Sequence, residues 1–335
     1  MVKRSIYLDH FKDQEASALV VDGVLQDFFI DNGIPTPGQI YRATVDRPIK
    51  GQGGCFLKTP DGSAFLRQGK GLSQGSRLLV QVSGFAETGK AIPVSRKILL
   101  KSRYVIITPE NPGLNISRQI KNEERREELI ALIRLNFKDF KEGMILRSSC
   151  KNALDKDILD DAEEMLNLAG KIFSDESNEE QLILESDKPH ALAWREWSQN
   201  AVVFSESGSF EIHGVLDLLE ELKSERVETS DGHFFIETTR ACTTVDINTG
   251  SDTSPAAALK ANLATARDLP RQLRLRGIGG QIILDPAPIS KKDRKIFDTS
   301  LRTAFRKDSV ETNIVGWTAM GLIEIQRARV RSSWK

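Results

Sequence analysis

Two aspartates and an asparagine in this sequence have the types and spacing of a metal site. The segment Thr243-Thr244-Val245-Asp246-Ile247-Asn248-Thr249-Gly250 alternates with the two-residue period of a strand, which places Asp246 and Asn248 on one face. A second apolar strand, residues 281–284, ends at Asp285. Carboxylate and amide oxygens are the ligands that Mg²⁺ or Mn²⁺ prefers, and such a metal can serve phosphodiester hydrolysis.

A helix is predicted between these two strands. Ser254-Pro255 is a typical helix start, and Gly277 is expected to end the helix. Pro270 falls inside the pattern and should kink the helix or split it in two. Since a strand–helix–strand crossover makes its two strands parallel, Asp246 and Asp285 are expected at the same edge of a sheet, within reach of one ion.

Three arginines of this helix share a spacing that places them on one face. Arg267, Arg271 and Arg274 stand at positions i, i+4 and i+7. A face that follows nucleic-acid phosphates and an ordinary solvated helix face explain the cluster equally well. The glycine-rich segment 277–280 does not indicate a dinucleotide site, because it follows a helix and precedes a strand.

Short strands separated by turn residues characterise the region 40–96. Five of them, at 40–45, 54–57, 63–66, 77–82 and 92–94, predict a small β-barrel, with the OB-fold as leading candidate. Phe56 and Phe65 could stack on bases at its surface, and Lys90 could contact phosphate. Spacing alone favours the other interpretation, in which both rings fill the barrel core.

The centre of the chain predicts strands at 104–108 and 144–146 and helices at 121–137 and 154–173. Arg147 and Ser148 follow the second strand and could bind an anion through the guanidinium and the hydroxyl. A surface arginine in an ordinary loop is the more common outcome. Residues 176–188 predict a loop, residues 215–222 a helix, and Asp231-Gly232 the turn of a hairpin.

The bulk composition limits the classes of protein. A chain of 335 residues predicts two or three domains. With 47 basic and 47 acidic residues the net charge is zero, so the overall charge does not indicate a nucleic-acid partner. Three distant cysteines exclude a disulfide framework and a cysteine zinc site within one chain. There is no apolar run of membrane-spanning length and no secretory leader pattern, which predicts a cytoplasmic protein.

Two long ungapped segments, residues 237–250 and 262–285, resemble the catalytic signature of the ribonuclease E/G family. The resemblance implies an α+β multidomain protein with an OB-fold β-barrel inserted near the N-terminus, a mixed α/β sensor region, and a C-terminal α/β catalytic domain with a βαβ metal site. The expected boundaries are 1–37 for N-terminal strands of a reduced RNase H-like part, 38–96 for the S1-like barrel, 97–185 for the sensor of RNA 5′ ends, 186–224 for a linking helical segment, and 225–335 for a DNase I-like catalytic subdomain.

The resemblance also implies a function. It is that of a magnesium-dependent endoribonuclease, acting in RNA processing or decay, that cleaves single-stranded RNA and leaves a 5′-phosphate and a 3′-hydroxyl. Asp246 and Asp285 would bind Mg²⁺, and Asn248 would help to hold the site. Phe56, Phe65 and Lys90 match the RNA-contacting positions of the family barrel. Arg147 and Ser148 stand in the place of an arginine–threonine pair that senses the 5′-monophosphate.

This sequence departs from the family pattern at several positions. Arg240 replaces a glutamate six residues before the first aspartate, and Pro288 replaces an acidic residue three positions after the second. The cysteine pair that links protomers through zinc is missing, so no structural zinc is expected and any homo-oligomer would form without it. These departures motivate an alternative, a catalytically weak or inactive RNA-binding homologue. A DNA nuclease is a third hypothesis.

Overall fold

The computed structural model describes residues 3–49, 51, 53–137, 140–174, 177, 179–198 and 200–334. The chain divides into two compact units. One unit combines Met1–Asn32 with Ala201–Lys335, and the other is the continuous insertion Gly33–Asn200. No helix in the described ranges has both the length and the apolar character needed to cross a bilayer.

The chain starts with three antiparallel strands, β1 (Arg4–Phe11), β2 (Gln14–Val21) and β3 (Val24–Ile30). The turn at Asp22-Gly23, which the sequence predicts, has φ values of 49° and 80°. Two positive φ angles in succession are typical of the tight hairpin turn whose twist matches that of the flanking strands.

The inserted unit begins with the predicted barrel. Its strands are β4 (Ile40–Pro48), β5 (Cys55–Thr59), β6 (Gly62–Leu66), β7 (Arg77–Val82) and β8 (Ile92–Ser95). They pair in the order β4-β5-β6-β8-β7, and β7 pairs back onto β4 to close the barrel. This architecture is consistent with an OB-fold. Alternate residues of the strands fill the core, among them Cys55, Leu57, Ala64 and Leu66, each no more than 2% exposed.

The rest of this unit mixes strands and helices. Its elements are β9 (Leu100–Lys101), β10 (Val105–Thr108), β11 (Gly113–Ile116), α1 (Glu123–Asn136), β12 (Gly143–Leu146), α2 (Asp155–Ser174), β13 (Gln181–Leu184) and α3 (Pro189–Trp197). The sheet β11-β12-β10-β9 shares a core with α1 and α2. The loop predicted at 176–188 is wrong in part, because β13 pairs with β4. All four β13 residues are half-buried, so the strand shows no alternation of buried and exposed positions.

The next three elements of the chain complete the N-terminal sheet. β14 (Val202–Phe204) pairs in parallel with β1, giving the order β14-β1-β2-β3. The helices α4 (Ser209–Ile212) and α5 (Val215–Glu221) pack on this sheet through Phe210, Val215 and Leu219. The single linking segment predicted at 186–224 is therefore divided: α3 belongs to the inserted unit, whereas β14, α4 and α5 complete the N-terminal sheet.

A six-stranded sheet carries the predicted metal site. Its elements are β15 (Arg226–Thr229), β16 (Gly232–Thr238), β17 (Thr243–Asn248), α6 (Pro255–Leu275), β18 (Gly280–Asp285), α7 (Lys291–Lys307), β19 (Thr312–Trp317) and β20 (Ile323–Arg327). The strand order is β15-β16-β17-β18-β20-β19, and only β17 and β18 are parallel. Helices α6 and α7 bury one face of the sheet through a shared apolar core. The other face is open and mostly polar.

Helix α6 begins and ends where the sequence predicts. The Ser254 hydroxyl accepts a hydrogen bond from the Ala257 amide at 3.2 Å, and Pro255 is the first helical residue. At the other end Gly277 has a φ of +66°, a conformation that glycine adopts at low cost. Pro270 lies inside α6, yet α6 continues as one helix, so the predicted division in two does not occur.

Candidate active site

Asp246 and Asp285 occupy directly paired positions on neighbouring strands. The parallel register of β17 and β18 aligns Val245 with Leu284 and Asp246 with Asp285. Val245 and Leu284 are fully buried against the helices, which directs both aspartates to the open face, where they are exposed. Since neighbouring strands lie about 4.8 Å apart, the two carboxylates are side by side, as the crossover predicts.

Asn248 lies next to this pair on the same face. Its Nδ2 donates a hydrogen bond to Oδ2 of Asp246 at 2.8 Å, and the side chain is half-buried. The amide therefore holds one oxygen of Asp246 and limits rotation of the carboxylate. An asparagine can do this without adding charge, which leaves the negative charge of the pair available for a cation.

The residues of this pair fit a hard divalent cation. Within the described residues, neither aspartate forms an ion pair and no third histidine, cysteine or acidic side chain joins them. Mg²⁺ keeps several waters and binds through one or two carboxylates together with substrate phosphates, so two aspartates suffice. Zn²⁺ requires a different donor set, dominated by cysteine and histidine.

Asn262 holds the segment that follows Asp285, and the sequence analysis did not identify it. Its side chain is fully buried in α6, donates to the carbonyl of Ala287 at 2.9 Å and accepts from the Ala287 amide at 3.0 Å. These bonds fix the chain two residues after Asp285. The available signal was an amide within an otherwise apolar helical stripe, where an unpaired polar group would be costly.

The two departures from the family pattern lie close to the pair in sequence. Arg240 is exposed in the turn that joins β16 to β17. Pro288 is exposed in the segment between β18 and α7, and its side chain has no ligand atom. The structure therefore supplies two carboxylates at this edge of the sheet and neither of the two further acidic side chains.

Comparison with known proteins identifies the family. The model of the Ribonuclease E/G family matches residues 99–203 and 195–330. This chain belongs to the ribonuclease E/G family. It is 27% identical to Ribonuclease G of Haemophilus influenzae, over 94% of this chain and 77% of that protein. It is 26% identical to Ribonuclease G of Escherichia coli K12, over 94% and 78%, and to Ribonuclease E of Synechocystis, over 95% of this chain but 56% of that protein. The predicted family is thus confirmed.

In this family member the barrel presents Phe56 and Phe65 on its outer surface. The two residues are paired in register, and their half-buried rings lie 5.4 Å apart at an angle of 52°. The interpretation favoured by spacing, with both rings in the barrel core, is wrong, because Cys55 and Leu57 take the inward positions of that strand. The guanidinium of Arg47 lies 4.9 Å from the centre of the Phe56 ring. Lys90 is exposed and pairs with Glu87 at 2.8 Å.

The arginines of α6 do not form one solvated face. Arg271 pairs with Asp268 and donates to the Leu25 carbonyl at 2.9 Å. Arg274 pairs with Asp308, lies 3.4 Å from Asp27, and donates to the Gln26 carbonyl at 2.7 Å. Both arginines thus connect α6 to β3. Neither the phosphate-binding face nor the solvated helix face considered from sequence includes these contacts, because the partners are distant in the chain. Arg267 is exposed, and its predicted RNA contact stays a prediction.

Arg147 and Ser148 directly follow β12 in the inserted unit. Arg147 donates to the Ser102 carbonyl and forms a 2.5 Å ion pair with Glu196, which also pairs with Arg195 at 2.8 Å. Burial raises the pKa of Glu196, but the two arginines outweigh burial and hold that pKa below its usual value. Ser148 is half-buried and begins a 3₁₀ turn. A phosphate at Arg147 would have to displace the Glu196 carboxylate.

Proposed function

We propose that this protein is a Mg²⁺-dependent endoribonuclease that cleaves single-stranded RNA and leaves 5′-phosphate and 3′-hydroxyl ends. The observation that carries the proposal is the direct register pairing of Asp246 with Asp285 on an open sheet face. Relatives named Ribonuclease G and Ribonuclease E align with nearly the whole chain, which supports the same reaction class.

Each side chain of the site has a distinct task. Asp246 and Asp285 would hold Mg²⁺ through their carboxylates, with Mn²⁺ as an alternative. When bound, the metal supplies Lewis-acid stabilisation of the phosphate and an activated water. Asn248 orients Asp246 through its hydrogen bond, and Asn262 fixes the chain beyond Asp285. The exposure of both aspartates lets an RNA phosphate approach from solvent.

The barrel surface supports single-stranded RNA as the substrate. The outward rings of Phe56 and Phe65 offer faces on which unpaired bases can stack, and Arg47 adds positive charge beside Phe56. Paired bases inside a duplex have no free face for such contacts. Lys90 is proposed to contact an RNA phosphate. We propose that this surface holds the RNA while the aspartate pair cleaves it. A cytoplasmic location is part of the same proposal.

The decisive experiment replaces each aspartate with its isostere. Asp246→Asn and Asp285→Asn should each lower the cleavage rate of a 5′-monophosphorylated oligoribonucleotide in Mg²⁺ by about 100-fold or more, since loss of residues that merely support metal ligands already costs about 10- to 100-fold. Asp231→Asn, in the turn between β15 and β16 of the same sheet, is the matched control and should cleave normally. Unchanged cleavage by Asp246→Asn would refute the site assignment.

Arg240 and Pro288 favour a second candidate, an RNA-binding protein without cleavage activity. In that case the protein would bind the same RNA with an affinity that falls steeply with salt, and neither Mg²⁺ nor Mn²⁺ would produce fragments. A gel of labelled RNA with metal or with EDTA separates the two candidates. DNA of the same sequence, run in parallel, tests for a DNA nuclease.

A further inference from the structure

One row of side chains crosses the open face of the six-stranded sheet at the level of the aspartate pair. Arg226 of β15 pairs in register with Phe235 of β16, Phe235 pairs with Asp246, and Asp246 pairs with Asp285. Directly paired residues project to the same face, so the four side chains stand in line on consecutive strands. Phe235 is therefore the direct neighbour of Asp246 on the side away from Asp285.

Phe235 is an aromatic residue in polar surroundings. On its own strand the flanking residues of that face are His233 and Glu237, and across on β17 they are paired with Asn248 and Thr244. The His233 ring meets the Phe235 ring edge-on at 5.5 Å. Phe235 is half-buried and stands outside the apolar core, which lies on the opposite face of the sheet. Its ring thus leaves apolar surface next to the two carboxylates.

The position of this ring suits a nucleotide base. Phe235 stands about one strand spacing, ~4.8 Å, from Asp246, so a scissile phosphate held at Asp246 and Asp285 would bring a neighbouring nucleotide to this ring. Every base has a π-face that can stack on an aromatic ring. Arg226 stands one strand further along the row and is exposed, although Glu228 pairs with it at 2.6 Å.

We propose that Phe235 stacks on the base of a nucleotide next to the scissile phosphate and so holds the RNA strand over Asp246 and Asp285. The proposal rests on the endoribonuclease function proposed above, because that function places the scissile phosphate. It adds a base contact within the catalytic sheet to those expected on the barrel.

The test removes the ring and the base separately and then together. The substrate is one oligoribonucleotide with a single cleavage site, prepared as a series in which each member lacks one base near that site. For the native protein, one abasic position next to the site should slow cleavage about 5- to 30-fold, the lower part of the range for loss of one stacked base. Phe235→Leu should slow cleavage of the intact RNA by a similar factor and show no further loss with that abasic RNA.

Two further variants separate stacking from folding. Phe235→Trp keeps an aromatic face and should retain both the rate and the sensitivity to the missing base. Val315→Ala removes an apolar side chain that is 57% exposed on an edge strand of the same sheet, and it should behave as the native protein. If Phe235→Leu leaves cleavage of intact RNA unchanged, or slows it while the full abasic penalty persists, the stacking proposal is wrong.

A measurement without chemistry separates this proposal from the proposed function. In EDTA, a short RNA that contains 2-aminopurine is titrated with protein carrying Phe56→Leu and Phe65→Leu, which removes the barrel rings. Quenching that disappears with Phe235→Leu but persists with Phe235→Trp supports stacking even if no RNA is cleaved. Cleavage that requires Asp246 but is indifferent to Phe235 in both assays supports the nuclease and overturns the stacking contact.

Discussion

The side chain of Asn262 satisfies both backbone groups of Ala287, with a donated bond of 2.9 Å and an accepted bond of 3.0 Å. Ala287 is 3% exposed and Asn262 is fully buried, so water cannot replace these bonds. Helix α6 follows β17, the strand that carries Asp246, along the chain. Through Asn262 the same helix also holds the segment that follows Asp285. One helix thereby links the strand of Asp246 to the segment beyond Asp285.

Asn262→Ala should therefore affect both stability and activity. The buried amide and carbonyl of Ala287 would lose their partners, which lowers the free energy of unfolding by about 1–3 kcal/mol. Cleavage should fall about 10- to 100-fold, as for other residues that orient metal ligands. Urea unfolding and single-turnover cleavage measure the two effects. Thr265→Val on the same helix is the control: its buried hydroxyl has no hydrogen-bond partner among the described residues, so stability should hold or rise and cleavage should not change. Full activity of Asn262→Ala would contradict the positioning role.

Arg274 and Arg267 should respond differently to removal although both lie on α6. Arg274→Ala removes one of two cations from each of the buried carboxylates Asp27 and Asp308, which keep Arg331 and Arg327, so the loss of stability should be about 1–3 kcal/mol. Arg267→Ala removes an exposed side chain and should change stability by less than about 0.5 kcal/mol. If Arg267 contacts RNA, its loss should weaken binding and reduce the salt dependence of affinity by about one phosphate contact. Thermal unfolding and RNA titrations at several salt concentrations test both statements, and equal stabilities of the two variants would contradict the first.

The ion pair of Arg147 with Glu196 gives a direct test of 5′-end sensing. Glu196→Gln removes the negative charge that a phosphate would displace, so the preference for 5′-monophosphorylated over 5′-hydroxyl RNA should increase. Arg147→Ala should abolish that preference. Arg134→Ala, at an exposed position in the last turn of α1, serves as the control and should leave it unchanged. A preference that survives in Arg147→Ala would place the sensor elsewhere.

The buried thiol of Cys150 should make the stability of the protein depend on alkaline pH. Burial raises the pKa of Cys150 from 9.0 to about 12, so the native state keeps a proton that the unfolded chain releases more readily. The resulting contribution is fully present below pH 9 and is lost as the pH rises from 9 to about 12. Unfolding free energies at pH 8 and pH 10 should differ less for Cys150→Ala than for the native protein.

The three cysteines should also differ in reactivity. Iodoacetamide at pH 8, followed by mass spectrometry, should label half-buried Cys242 before the buried Cys55 and Cys150. Rapid labelling of Cys150 would contradict its burial.

Local sequence patterns predicted the elements that build the candidate active site. The strand period around Asp246, the helix start at Ser254-Pro255 and the glycine at 277 are short-range signals, and the handedness of crossover connections fixes how the two strands meet. The proximity of Asp246 and Asp285 at one edge of the sheet therefore followed from sequence, whereas their direct register pairing is seen only in the structure. The placement of Asp246 and Asn248 on one face also followed, because this segment alternates with the two-residue period of a strand.

The features that sequence did not reveal depend on distant partners. β13 pairs with β4, and Arg274 meets Asp27 and Asp308, although nothing in the flanking residues indicates these contacts. The outward direction of Phe56 also depended on pairing, because Phe56 and its neighbours Cys55 and Leu57 are all apolar and period-two alternation alone does not choose the inner face. Propensity and spacing act over a few residues, whereas these relationships join segments far apart in the chain.

The pairing of β1 with β14 has a consequence for how the chain folds during its synthesis. β1 leaves the ribosome long before its parallel neighbour, because Ser5 pairs with Val202. At about 5–20 residues per second, that edge of the first sheet stays without β14 for roughly 10–40 s. The continuous unit Gly33–Asn200 can meanwhile complete all of its own strand pairings, so it should be the first part of the nascent chain to resist proteolysis.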